Sequence, residues 1–95
     1  MRNDLTPLQV CERLIGGYPV LAAIVGYSEK APYVWAKGGD TRDAGDIPSV
    51  RLMRAFLAHS DARALGLTAD HLIRGADAAQ IDAILAARQG LEAAE

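Results

Sequence analysis

The stretch VLAAIVGYSEKAPYVW, residues 20–35, reads as two short helices packed around a single glycine. Leu21 and Val25 supply the buried face of the first helix. Ala22 lies four residues before Gly26, where only a small side chain lets the second helix approach. Gly26 permits the left-handed backbone that turns the chain sharply. Tyr27 is expected to plug the turn from inside, Ser28 to cap the next helix, and Trp35 to anchor its far end in the core. This is a helix-turn-helix arrangement. Pro32 leaves two solutions for the second helix. With Ser28 as cap it is the fourth helical residue, at a penalty approaching ~3 kcal/mol. Otherwise the regular helix starts near Ala31 with Pro32 as its first residue, and 28–31 is an irregular turn.

Outward from this corner the punctuation continues to indicate short helices. Thr6 followed by Pro7 is a helix start, with Leu8, Cys11, Leu14 and Ile15 as an apolar stripe and Gly16-Gly17 as the stop. Pro19 opens the helix that Gly26 ends. Gly38-Gly39 ends the one after it. Residues 36–47, AKGGDTRDAGDI, lack apolar periodicity and read as a loop. Pro48 starts a helix with Val50, Met53, Phe56 and Leu57 as its core stripe. Ser60 to Leu65 reads as a separate short helix ended by Gly66. Thr68 caps another, carrying Leu72 and Ile73, and Gly75 closes it. Asp77 caps a last helix with Ile81, Ile84 and Leu85 on one side and Gly90 as its end. No window alternates like a strand. The expectation is an all-α compact bundle of five to six short helices, one domain over residues 1–90, with residues 91–95 frayed.

The composition suits one modest core: 95 residues, 51% hydrophobic and 23% charged. A single cysteine excludes an internal disulfide framework and fits a cytoplasmic setting. The longest nearly apolar run, Tyr18 to Tyr27, is too short to span a bilayer, and no secretory leader is legible, so no membrane role is expected. The formal charge of −2 opposes a nucleic-acid role globally. It is unevenly spread, however. Residues 13–54 carry six basic side chains against four acidic ones, a net +2, whereas residues 55–95 carry −3. A polyanion would meet the middle of the chain.

The residues of the corner resemble those of the small phage Cro-like and YdaS-like DNA-binding regulators. Their pattern runs leucine-alanine, three residues, glycine, apolar, serine, then a helix ending in tryptophan and a basic glycine loop. Ile47-Pro48-Ser49 and the Leu67-Thr68 to Leu72 segment resemble the family's later helices, so the likeness covers roughly Val10 to Ile73. Two positions depart from it: Pro32 replaces a buried aliphatic residue, and the loop 38–46 is longer and more acidic. The resemblance implies a lambda-repressor/Cro-like fold and a sequence-specific regulator of phage or prophage-like type that reads double-stranded promoter DNA. By offset from Gly26, the implied DNA-facing positions are Ser28, Glu29, Lys30, Tyr33, Val34 and Lys37. Lys30 would meet a guanine edge or a phosphate, Glu29 a cytosine amino group, and Tyr33 a phosphate or a thymine methyl. Lys37 and Arg42 would clamp phosphates, and Arg51 and Arg54 would flank the groove. A homodimer, or pairing along DNA, is implied, since one such unit buries little surface, with Ile81, Ile84 and Leu85 as either the interface or the monomer's own core.

Other constellations are weaker. Asp40, Asp43 and Asp46 lack the spacing and closing glutamate of a calcium loop. His59 and His71 have no cysteine partners, and His59 is expected to be a partly charged imidazole near a helix's carbonyl end. Cys11 sits on an apolar stripe without a nearby base. Neither Gly-Gly pair continues into Gly-Lys-Ser/Thr. The sequence therefore points to a non-enzyme with no metal and no cofactor. The acidic tail and low overall pI also suit a protein-interaction module on the same scaffold, one that binds transcription machinery or a co-regulator, or serves as an antitoxin.

Overall fold

Thr6 and Pro7 open the first helix as their chemistry dictates. The Gln9 N–H donates to Thr6 Oγ1 at 3.2 Å, and the Thr6 N–H donates to Gln9 Oε1 at 2.9 Å, a reciprocal cap with proline at the first helical position. A computed structural model describes residues 4–94, with side chains through residue 90. The elements are β1 (Asp4–Leu5), α1 (Pro7–Leu14), α2 (Tyr18–Val25), α3 (Ala31–Lys37), α4 (Val50–Arg63), α5 (Ala69–Arg74), β2 (Ala76–Asp77) and α6 (Ala78–Ala94). The described chain is mostly helical, and no single helix in it is long and apolar enough to cross a bilayer.

α1 lies at the centre, touching α2, α3, α5 and α6, while α4 packs on α2 and α5. Leu8, Val10, Cys11 and Leu14 bury two sides of α1. Around them close Leu21 of α2, Trp35 of α3, Phe56 of α4, Leu72 of α5 and Ile81 of α6. Trp35 meets Phe56 edge-on, ring centroids 6.4 Å apart.

Several boundaries differ from expectation. A two-residue antiparallel pairing sets Leu5 against Ala76 and Asp4 against Asp77, a minimal sheet added to the expected helical bundle. Two residues are too few to alternate. What permits the pairing is Gly75, at φ 74°, where a Cβ would run into the Leu5 carbonyl oxygen. α4 continues through the expected break at Ser60 to Arg63. Ser60 is buried, and its Oγ accepts the Leu67 N–H at 3.0 Å, so the hydroxyl ties down the α4–α5 connection instead of capping a new helix. The buried line of α4 is Leu52, Phe56 and Ser60, with Met53 and Leu57 beside it. Val50 is exposed, because Ser49 caps the helix and leaves Val50 in the first turn at the edge of the core.

α6 runs through Gly90 to Ala94. The anticipated fraying of residues 91–95 falls on a stretch whose side chains lie outside the described residues. Ile81 is fully buried, and Ile84 and Leu85 pack half-buried against the same core. That stripe therefore packs into the monomer's own core. Arg88 adds a polar tie: its Nη1 donates to the Leu14 carbonyl at 2.9 Å and to the Leu65 carbonyl at 3.3 Å.

Candidate nucleic-acid interface

The corner between α2 and α3 is built on Gly26, at φ 73° and ψ 25°. A Cβ there would meet nothing within 4 Å, so the requirement is for the left-handed backbone and not for space. The Gly26 N–H reaches back to the Ala22 and Ala23 carbonyls, and the Tyr27 N–H donates to the Ala22 carbonyl at 3.0 Å. Ala22 is buried at the contact, as its small size requires. Tyr27 does not plug the turn from inside: it is 51% exposed and rests edge-on against Trp35, centroids 5.9 Å apart.

Ser28 does not cap α3. The helix begins at Ala31 with Lys30 at the cap position, and no side chain bonds the cap. The Ser28 carbonyl accepts the Ala31 N–H at 3.0 Å, so residues 28–31 form a turn. Pro32 is the second residue of the helix, where its missing N–H removes no intrahelical bond. Its ring is fully buried and fills an apolar position.

The short helix that results has two distinct sides. Pro32 and Trp35 point inward. Lys30, Tyr33, Val34 and Lys37 are exposed at the spacing of one helical face, with Tyr33 58% and Val34 57% accessible. Ser28 and Glu29 are exposed in the preceding turn. Tyr33 leans edge-on against Tyr18 of α2, centroids 4.7 Å apart, which braces the face from the side. The Tyr18 phenol is pushed up from its ordinary value by desolvation, then by the Glu12 charge and Tyr33.

The remaining cations divide into two kinds. Arg51 and Arg54 are exposed, three residues apart at the start of α4. Neither they nor Lys30 and Lys37 make an ion pair among the described residues; Arg13 and Arg74 are paired, with Asp82 and Asp70. Arg42 differs. Its Nη1 donates to the Trp35 carbonyl at 3.1 Å and its Nη2 to the Val34 carbonyl at 3.5 Å. No periodicity signals this grip. The usable clue was a basic residue shortly after a glycine helix stop, where free carbonyls attract it.

Among the described residues, no group of His, Cys, Asp and Glu could hold a metal ion. Asp46 Oδ2 accepts the Asp43 N–H at 3.1 Å, which is turn chemistry. His71 serves the cap of α5: its Nδ1 accepts the Thr68 N–H at 3.1 Å while Thr68 Oγ1 accepts the His71 N–H at 3.2 Å. His59 is held below the ordinary histidine value by desolvation and the Arg63 charge. Burial pushes the Cys11 thiol up to about 12, far from a reactive thiolate. Compared with protein-family models, curated proteins and solved structures, the chain finds no match.

Proposed function

We propose that this protein is a DNA-binding regulator that lays α3 against the major groove, as Cro-like and YdaS-like helix-turn-helix proteins do. The observation that carries the reading is the outward face of α3. Lys30, Tyr33, Val34 and Lys37 stand in solvent on one side of a short helix set off by a left-handed glycine corner. A cation at each end suits phosphate or guanine contacts, and an apolar centre suits thymine methyl groups. Arg51 and Arg54 add two further unpaired charges for the backbone. A seven-residue helix reads few base pairs, so the working unit is a homodimer on two half-sites about one helical turn apart.

Replacing Lys30 and Lys37 together with Ala tests the face. Both are exposed, so folding stability should change by less than about 0.5 kcal/mol. Binding to a selected duplex should weaken by about tenfold or more, since each phosphate contact contributes through counterion release. Unchanged affinity would remove α3 from the interface. Tyr33→Ala is a less clean probe, because the ring also braces Tyr18.

One observation favours a second reading. Val20, Tyr27, Tyr33 and Val34 are large apolar residues left 45–58% exposed on α2, α3 and the turn between them. Such a surface suits a protein partner, for example transcription machinery or a second regulator. Association with a protein through these residues would be nearly insensitive to salt, unlike DNA binding.

A further inference from the structure

The loop between α3 and α4 forms a chain of hydrogen bonds from one helix to another. The Gly39 N–H donates to the Arg42 carbonyl at 2.8 Å, a tight turn that folds Arg42 back toward α3. Its guanidinium then straddles two consecutive carbonyls, Val34 and Trp35. The Trp35 carbonyl also accepts the Gly45 N–H at 2.9 Å, and the Gly45 carbonyl accepts the Leu8 N–H at 2.9 Å. Thus the last turn of α3 is fastened through residues 42 and 45 to the first turn of α1. Gly38, at φ 75°, lets the loop pass so closely that a Cβ there would lie 2.6 Å from the Ala44 backbone nitrogen.

A seven-residue helix has little hold on its own orientation, because most of its terminal N–H and carbonyl groups lack helical partners. At its start α3 has no side-chain cap. At its far end the loop adds hydrogen bonds to the Val34 and Trp35 carbonyls. We infer that Arg42 is a positioning residue for α3, holding Val34 and Lys37 at their angle to the groove, and not a phosphate contact. This inference rests on the DNA-binding reading and assigns the loop its part in it. The planar fork of arginine sets a separate nitrogen on each of two adjacent carbonyls; a lysine ammonium keeps the charge but not that fixed spacing.

Arg42→Lys and Arg42→Met separate the two roles. The probe is a duplex of about 25 base pairs recovered by selection from a randomised pool, long enough for two half-sites. A positioning role predicts that both variants lose affinity alike, by about tenfold, and discriminate less between the selected and a scrambled duplex. The dependence of log K on log salt should have the same slope in both variants. Near-native binding by the Lys variant, or a slope flattened by about 0.9 in the Met variant but not in the Lys variant, would make Arg42 a phosphate contact and overturn the inference. If the native chain selects no duplex, the DNA reading fails instead. Amide hydrogen exchange on the free proteins then decides the positioning role alone. Lys37 and Gly45 should exchange about tenfold faster in both variants, with Phe56 unchanged. Native exchange at Lys37 and Gly45 would refute it.

Discussion

Ala64 ends α4 at φ 54° and ψ 48°, a left-handed conformation in which a Cβ crowds its own carbonyl. Ala64→Gly should therefore stabilise the fold by about 1 kcal/mol, seen as a raised midpoint in denaturant with an unchanged slope. A lower midpoint would mean that the angle is not imposed by the packing. Trp35 presents the opposite case. It is buried between Tyr27 and Phe56 and forms the floor under the exposed face of α3. Trp35→Ala should cost about 3–5 kcal/mol in the same measurement, and a normal unfolding curve would contradict the packing.

At the level of elements, α5 carries an unusual cap, because an imidazole takes the place of the customary glutamate or glutamine. His71 can accept the Thr68 N–H only while Nδ1 is unprotonated. Desolvation lowers its pKa from the ordinary 6.5, partly offset by the Asp70 charge. Because the folded value lies below the unfolded one, the contribution is complete above pH 6.5 and is lost as pH falls through the folded value. His71→Gln keeps an acceptor at the cap but cannot titrate, so its stability should fall less than that of the native chain over this window. Equal acid sensitivity would place the titration elsewhere, with His59 the other depressed histidine. Elements like these show what could be read beforehand. Thr6-Pro7, Gly26 and Thr68 act through neighbours three or four residues away, so the starts of α1 and α5 and the corner were legible. The rotation of α4 was not, since Leu52 and Val50 fit an apolar stripe equally well until Ser49 fixes the first turn. Nor was the β1–β2 pairing, made by residues more than seventy positions apart.

Across the whole molecule, the apolar core joins the helices, and Arg88 adds long-range hydrogen bonds to it. Arg88 links α6 to the end of α1 and to the α4–α5 connection, joining residues 74 and 23 positions away. Arg88→Met keeps much of the stem but leaves two carbonyls without that donor; it should cost about 1.5–3 kcal/mol by denaturant unfolding, and a loss below experimental error would make the contact incidental. The exposed cations that make no ion pair among the described residues, Lys30, Lys37, Arg51 and Arg54, are what the DNA-binding proposal rests on. Their placement is the central claim, and it converts into a number. Four phosphate contacts per chain predict that log K for a selected duplex falls against log salt with a slope of about −3 to −4 per bound chain. Equilibrium titrations by fluorescence anisotropy between about 50 and 200 mM salt measure it directly. That slope, lost in part when Lys30 and Lys37 become Ala, is the result the account predicts. A slope near zero, or one indifferent to those substitutions, would contradict it.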